Sequence, residues 1–450
     1  MQDNTLFQQT IRDMVREAGV VGAGGAGFPA HVKLQARADT VIANGAECEP
    51  LLYVDQTLMQ QFPQRVVEGL RIAMRAVGAK RGVIATKKHY HEAVERIRAA
   101  IQDHPEMSLY LMDSYYPAGD EKSLVYEVTG EVVRSAKLPN DYGCVVSNIG
   151  TLYHIADASQ GKPVTDKMVT VCGDVPSPVT VCAPVGTSIR EMILAAGFDG
   201  DEGAYRVLEG GPLMGHIREN WDSPITKTTG GLVVLKDDHP LIVHTQMPVS
   251  RQVKLAMAVC CQCNMCTIMC PRNTLGLHVE PHKAMRAIAN GDGALVGNVN
   301  SVLACCSCNL CSHYACNFGL TPGTVMTNLK GELLKSGVKP RTEEEVRPDP
   351  SMDTKRIPIS RLIARMGLQA YHRPAPYQSR ALVPGEVRIS LKQHIGVPSI
   401  PQVREGQRVQ KGEMIGRIPE GSLGANVHAS IMGTVISCSA EHVVIRAQGA

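Results

Sequence analysis

The constraint that most limits what this chain can fold into lies between Val259 and Leu320, where ten of its fifteen cysteines fall in two short clusters. Cys260, Cys263, Cys266 and Cys270, followed by Pro271, form the C-x2-C-x2-C-x3-C-P run that wraps a [4Fe–4S] cluster. Cys305, Cys308, Cys311 and Cys316 repeat the pattern with one extra residue before the last cysteine. Cys261 and Cys306 stand beside first ligands as spare thiols or register alternatives. A cubane needs four converging thiolates, and a triplet spaced by two residues wraps only three of its irons. In two-cluster ferredoxins the distal cysteine serves the other cluster. The expected sets are therefore Cys260, Cys263, Cys266 and Cys316 on one cluster, with Cys305, Cys308, Cys311 and Cys270 on the other. Zinc is the poorer reading, because structural zinc sites take paired cysteines or histidines rather than two triplets with a trailing fourth. A disulfide framework is disfavoured by the low cysteine density and by the lack of a visible signal peptide, so the expected compartment is reducing and cytoplasmic.

At 450 residues the chain is long enough for about three domains at roughly 150 residues each. Its 46 basic and 43 acidic side chains nearly cancel, and aromatics are 4%, so neither a phosphate-seeking field nor a base-stacking platform is expected. No apolar run approaches the ~18 residues of a membrane span. Nucleic acid and transmembrane roles are not expected.

Phe7, Ile11, Met14, Val15 and Ala18 fall on one face of an amphipathic helix over 5–18. Next comes Gly22-Ala-Gly24-Gly25-Ala-Gly27-Phe28-Pro29, a literal G-x-G-x-x-G. A dinucleotide fingerprint should follow a strand and open a helix, whereas this one follows a helix and meets a proline. It still allows close backbone approach to a phosphate or a flat ring, with Lys33 just beyond as a charge partner. Residues 40–50 read as a buried strand ending at Glu47 and Glu49. Strands at 81–86 and 107–112 flank a helix over 90–102, a βαβ rhythm that predicts a parallel sheet with ligands at its carboxyl ends.

GAGGAGFPAHVKL, NGAECEP, YPAGDEK and SNIGT, in that order, resemble the flavin- and NADH-binding domain of the complex I flavoprotein subunit and its RnfC relatives. The resemblance implies that Gly22, Gly24, Gly25, Lys33, Asn44, Glu47, Tyr116, Gly119, Asp120, Asn148 and Thr151 surround FMN. It implies that Phe28, Glu49 and Glu121 face the nicotinamide nucleotide. Ala23, Ala46 and Gly150 stand where complex I has arginine, aspartate and glutamate.

The expected architecture is α/β and multidomain. It comprises an FMN/NADH-binding α/β domain (1–165), a β-grasp domain resembling SLBB (166–248), and a helical two-cluster ferredoxin-like insert (249–330). A charged, exposed linker (331–375) and an all-β barrel-sandwich-hybrid module (376–450) complete it. Cys172 and Cys182 alternate with valines and read as buried structural thiols. The C-terminal module is similar to biotinyl and lipoyl carriers, but its hairpin GSLGAN (421–426) lacks the carrier lysine, so it reads as a docking or packing module. RnfC proteins have a similar module at the opposite end.

This order of modules resembles the cobalamin reductases of propanediol-utilisation microcompartments. The resemblance implies electron transfer from NADH through FMN and two [4Fe–4S] clusters to cobalamin. It also implies a cobalamin adenosyltransferase and shell proteins as partners, and location inside the microcompartment. No residue is expected to act as general acid or nucleophile, and His31 and His313 read as structural rather than as cobalt ligands. The alternatives are an RnfC-like protein exchanging electrons between NADH and ferredoxin, and a non-catalytic microcompartment conduit.

Overall fold

The computed structural model describes residues 2–343 and 345–448. Its first unit is a parallel four-stranded sheet in the order Met107–Met112, Arg81–Lys87, Thr40–Gly45, Cys144–Asn148. From Thr40–Gly45 the chain adds two strands on one side and then returns to add Cys144–Asn148 on the other. The reversal leaves a crevice beyond the carboxyl ends of Thr40–Gly45 and Cys144–Asn148, the position where open α/β sheets bind ligands.

Apolar strands at the sheet centre demand cover on both faces. Helices Pro63–Val77 and Ile149–Ala158 supply it on one side through Val66, Leu70, Leu152 and Ile155. The leading helix Gln2–Glu17 buries Ile11 and Val15 in the same core. Phe7, expected on that face, is exposed and lies under the Arg75 guanidinium at 6.0 Å.

The second unit is a mixed six-stranded sheet in the order Tyr377–Gln378, Val179–Pro184, Asp166–Gly173, Gly231–Lys236, Tyr205–Glu209, His216–Arg218. One face is filled by helix Ile189–Ala195, through Ile189, Met192 and Ile193. Ser188 and Glu191 close a reciprocal capping box at its start.

The cysteine-rich unit is helical, with Val249–Val259, Pro281–Asn290 and Pro322–Lys335 around Leu277, Met285, Val302 and Met326. The C-terminal unit stacks a four-stranded sheet on a three-stranded one around Ile389, Ile415, Val435 and Ile445.

The stretch 331–375 differs from the exposed linker expected of it. Helix Pro322–Lys335 runs into it, and further on Ile357–Pro358 pairs antiparallel with Tyr115–Tyr116. Helix Ile359–Arg365 then buries Leu362 and Ile363. Arg356 pairs with Glu127 of the first unit, and Glu343 accepts from the Ser135 backbone N–H at 2.8 Å. The proline and charge content masked a short amphipathic segment, in which Ile357, Leu362, Ile363, Met366 and Leu368 are buried.

Gly69 faces the backbone of the opposing helix so closely that a β-carbon would collide with the Leu152 carbonyl. Gly69→Ala should force the two helices apart at a cost of about 2 kcal/mol. The check is the midpoint of thermal unfolding, and an unchanged midpoint would show that the contact yields freely.

Candidate flavin and iron–sulfur centre

A cavity of about 1120 Å³ opens at the crevice beyond the two strand ends. Gly24, Gly25 and Ala26 form one wall, Asn44 and Glu47 the strand end, Gly119 to Glu121 a second wall, and Asn148 and Gly150 the start of helix Ile149–Ala158. The glycine loop is pinned at its base by the Gly22 N–H donating to the Phe28 carbonyl (2.9 Å) and by the Ala23 N–H donating to Thr151 Oγ1 (2.9 Å). A β-carbon on Gly24 would lie 2.7 Å from Asn148 Nδ2, whereas one on Gly25 meets nothing within 4 Å and would occupy the cavity. Only side-chain-free backbone leaves room there for a flat ring or a phosphate. The cradle fits a flavin nucleotide.

Of the residues expected from sequence, Gly24, Gly25, Asn44, Glu47, Glu49, Gly119, Asp120, Glu121 and Asn148 line the cavity. Gly22, Phe28, Lys33, Tyr116 and Thr151 stand behind it. Gly22, Phe28 and Thr151 shape the loop base. Lys33 bonds Glu121 Oε1 (3.0 Å) and the Val146 carbonyl (2.8 Å), which fixes a cavity carboxylate to the sheet. Tyr116 donates to Glu49 Oε1 (3.3 Å) and to the Cys308 carbonyl (2.8 Å), joining a cavity carboxylate to the second cysteine loop.

Sequence reasoning missed Asp55 and Lys167, which with Glu47 form a charged patch of the cavity lining. Asp55 accepts from Asn148 Nδ2 (2.9 Å) and its N–H donates to Glu47 Oε2 (3.1 Å). Lys87 donates to the Glu47 carbonyl, and Lys167, from the second unit, donates to the Ala23 carbonyl (3.0 Å). Burial pushes Asp55 up to about 6 and, with Asp55 beside it, raises Glu47; burial brings Lys167 down to about 8. The readable signal for Asp55 was its place at a helix start, at Val54–Gln61. Lys167 opens an apolar strand, where a lysine reads as solvated.

Glu49 is held from the second unit. Its oxygens accept from the Leu213 N–H (2.9 Å) and the Met214 N–H (3.1 Å), so the glycine turn at 210–215 is a clamp on it. Gly211, at φ +111°, leaves the space that a β-carbon would take from this carboxylate.

The cysteine loops lie against this cavity, and Cys306 and Cys308 are part of its wall. Each loop carries two left-handed residues at matching positions, Gln262 and Asn264 in the first, Ser307 and Asn309 in the second, with φ between 55° and 62°. Non-glycine residues rarely adopt this conformation, and here it curls each loop around a centre.

The thiols assort across the motifs. Cys266 has the thiols of Cys316, Cys260 and Cys263 as its neighbours, and burial beside them pushes it up to about 12. Cys270 has Cys305 and Cys306, Cys308 has Cys306, Cys270 and Cys311, and Cys311 has Cys305 and Cys270, with Cys266 across the gap. Thiols crowded and buried this way resist ionisation unless a positive centre sits among them. Among the described residues all fifteen are free of disulfides, and no set of three or more His, Cys, Asp or Glu side chains converges on a single ion. Two cubanes fit this donor set, since their ligands surround a volume rather than a point.

Two further contacts bind the loops to the flavin cradle. Arg272, two residues past Cys270, donates to Asp120 Oδ1 at 2.6 Å with both side chains buried. Burial works against the Asp120 charge, but Arg272 and two bonds from Ser123 hold it below the usual carboxylate range. Asn309 Nδ2 donates to the Leu213 carbonyl (2.8 Å).

The C-terminal unit supports the other flank. Lys392, Gln393 and His394 line the cavity, and the Ile395 N–H donates to the Gly27 carbonyl (3.2 Å). Buried Lys227 bridges the Gly19 and Asn426 carbonyls at 2.7 Å each, so the hairpin that holds a lysine in carriers here packs on the base of the glycine loop. Cys172 is buried, whereas Cys182 is half-buried and reaches the cavity wall. His31 and His313 are both lowered to about 4 chiefly by burial, and neither lines the cavity.

Residues 15–157 match the Nuo51 FMN-binding domain, 259–321 a 4Fe-4S dicluster domain, and 376–449 the RnfC barrel sandwich hybrid domain. The chain is 40% identical over 444 residues to the cobalamin reductase PduS of Salmonella typhimurium, covering 98% of this chain and 97% of that one. It is 40% identical over 447 residues to the PduS of Citrobacter freundii, covering 98% of each. A component of the Na(+)-translocating ferredoxin:NAD(+) oxidoreductase complex of Acetobacterium woodii is 35% identical over 278 residues, 60% of this chain and 58% of that one.

The crossed thiol sets predict that Cys316→Ala removes the same cluster as Cys263→Ala, and Cys270→Ala the same one as Cys308→Ala. Iron content and reduced-state electron paramagnetic resonance report this, and loss grouped by motif would rule the crossing out. Burial also lifts Glu49 from 4.5 to about 7, against the bonds it accepts. A carboxyl raised in the fold contributes stability that is fully present below its unfolded value and lost as pH rises through the folded one. Thermal midpoints should therefore fall between pH 4.5 and 7 by more in the native protein than in Glu49→Gln; parallel curves would assign the trend elsewhere.

Proposed function

Because the chain belongs to the PduS cobalamin reductase family, we propose that its cavity receives NADH beside FMN and that electrons leave through the two cysteine loops to cobalamin. It is an oxidoreductase. FMN, when bound, takes two electrons from NADH as hydride and releases them singly to the two [4Fe–4S] clusters. Each NADH thus supplies one electron to each of two cob(III)alamins, giving two cob(II)alamins, NAD⁺ and a proton; a further electron gives cob(I)alamin.

The observation that carries this reading is the shared wall. Glycine loop, strand-end carboxylates and the cysteines Cys306 and Cys308 all line one cavity. The proposed FMN residues divide the work. Gly24 and Gly25 admit the ring or phosphate, Asn44 and Gly119 tie the strand end to the opposite loop (Asn44 Nδ2 to the Gly119 carbonyl, 3.0 Å), and Asn148 offers a helix start. Lys33, Tyr116 and Thr151 hold these in place from behind. Glu49 and Glu121 are proposed to accept hydrogen bonds from the nicotinamide nucleotide, with Phe28 at the loop base. Cys260, Cys263, Cys266 and Cys316 are proposed to hold the outer cluster, and Cys305, Cys308, Cys311 and Cys270 the inner one.

The second unit is proposed to be an SLBB-type β-grasp domain, supported by its helix-covered mixed sheet. A cobalamin adenosyltransferase and microcompartment shell proteins are the proposed partners, inside the compartment. Among the described residues no helix is long and apolar enough to cross a membrane. The likeness to a component of an ion-translocating complex keeps a ferredoxin-linked role as the second reading.

Anaerobic titration with NADH should bleach flavin and clusters, and cob(III)alamin should then reoxidise them without any added protein. Clusters with no bleachable flavin would overturn the enzyme reading, and dependence on membrane proteins would favour the second. Gly24→Val should lose FMN while keeping its iron; retained flavin would remove that loop from the site.

A further inference from the structure

The two cluster positions are unequally covered. The inner set is enclosed: Cys270, Cys308 and Cys311 are buried, and Tyr116, Arg272 and Asn309 tie its loops to the flavin cradle. The outer set reaches solvent. Cys261 and Cys263 are exposed, and so are the large apolar side chains that flank this set: Met257 (65%), Val259 (40%), Ile268 (39%) and Phe318 (51%).

Such a rim is unusual on a soluble surface and marks a place where something docks. Its charge selects the occupant. No Asp, Glu, Lys or Arg occurs from Leu255 to Pro271, nor from Ser301 to Leu329. Among the described residues, the charged side chain that hydrogen-bonds into the outer loops is Arg365, on the Cys316 carbonyl at 3.4 Å. Protein electron carriers are gathered by complementary charge around the exit point, and this rim offers few charges: Arg365 and, one helical turn before Met257, Lys254. Apolar side chains interspersed with the amides of Gln262, exposed Asn264 and exposed Asn317 match a flat macrocycle edged by carboxamides.

We propose that cobalamin docks on this uncharged collar over the outer cluster, with Phe318, Ile268, Val259 and Met257 against the corrin and the three amides at its edge, and does not enter the flavin cavity. The proposal rests on the cobalamin reductase reading. The step would be outer-sphere: the cluster that Cys260, Cys263, Cys266 and Cys316 are proposed to hold would supply one electron that takes cobalt(III) to cobalt(II), with no bond to a protein atom.

The test places a charge on the collar from either motif, with Phe318→Asp and Ile268→Glu made separately in the full chain. Both positions are exposed, so fold and cluster content should persist, checked by iron content and the paramagnetic resonance of both clusters. NADH should bleach flavin and clusters at the wild-type rate before acceptor is added. The KM for cob(III)alamin is expected to rise roughly tenfold, since apolar contact is replaced by a charge that must lose water, while wild-type KM should change less than twofold between 50 and about 500 mM salt. If one variant loses iron, the other decides. An unchanged KM in an iron-replete variant, or a strongly salt-dependent wild-type KM, overturns the docking site while leaving the reductase reading intact. Wild-type protein that bleaches normally with NADH yet never reduces cobalamin overturns the reductase reading, and the docking site with it.

Discussion

The buried ion pair between Asp120 and Arg272 is the interaction on which the arrangement of this molecule depends. At 2.6 Å, with both partners almost free of solvent, it joins the loop that walls the flavin cradle to the residue two places beyond Cys270. Burying two charges gains little net stability, because desolvation offsets most of the attraction, whereas removing one partner leaves the other stranded at a cost of about 3–5 kcal/mol. Such a pair therefore specifies position. Asp120 is also the N-cap of helix Glu121–Thr129, so the same carboxylate that orients a helix start fixes the cysteine loop against the cavity. Tyr116, between Glu49 and the Cys308 carbonyl, makes a second bridge across the seam.

Around that seam each remaining unit acts as a brace. The second sheet contributes Lys167 to the cavity lining and the 210–215 turn that clamps Glu49. The C-terminal sandwich presses its hairpin onto Gly19 and its Gln393–His394 turn onto Gly27, two left-handed glycines at φ +66° and +74° that leave the space. The segment 357–378 then threads back, pairing with Tyr115–Tyr116 and adding Tyr377–Gln378 as an edge strand to the second sheet. A rigid cradle suits electron transfer, whose rate depends on holding cofactors at fixed separation in surroundings that need not reorganise.

What the sequence disclosed was whatever is written in local spacing. The cysteine triplets, the glycine loop, the strands at 40–45, 81–87 and 107–112, and the two β runs at the C-terminus each carry their own period or turn residues. What it concealed was set by tertiary contact. Lys167 and Asp55 are ordinary polar residues until three units meet over them. Arg272 reads as a helix-start arginine after Cys-Pro and acquires its role only opposite Asp120. The stretch 331–375 looks like a solvated linker because of its charges and prolines, yet Ile357, Leu362, Ile363 and Leu368 recur at helical and turn spacing and are all buried. Phe28 and Lys33 show the converse: motif residues that resemblance places at the ligand stand one layer behind it, where they hold the residues that line the cavity.

The two cysteine groups are unequally buried. The distal cysteine of each motif lies among the thiols of the other, which ties the two motifs together, and the pair presents two different faces. The face carrying Cys270, Cys305, Cys308 and Cys311 meets the cradle through polar contacts: an ion pair, a tyrosine hydroxyl and an amide. The opposite face carries apolar side chains and exposed thiols, with Arg365 on the Cys316 carbonyl. A protein selected only to store charge would gain by covering both faces, since burial shields clusters from water and oxidants. Under the docking proposed above, the open face is the one an acceptor covers, and the asymmetry would direct electrons from the enclosed cavity to the open collar.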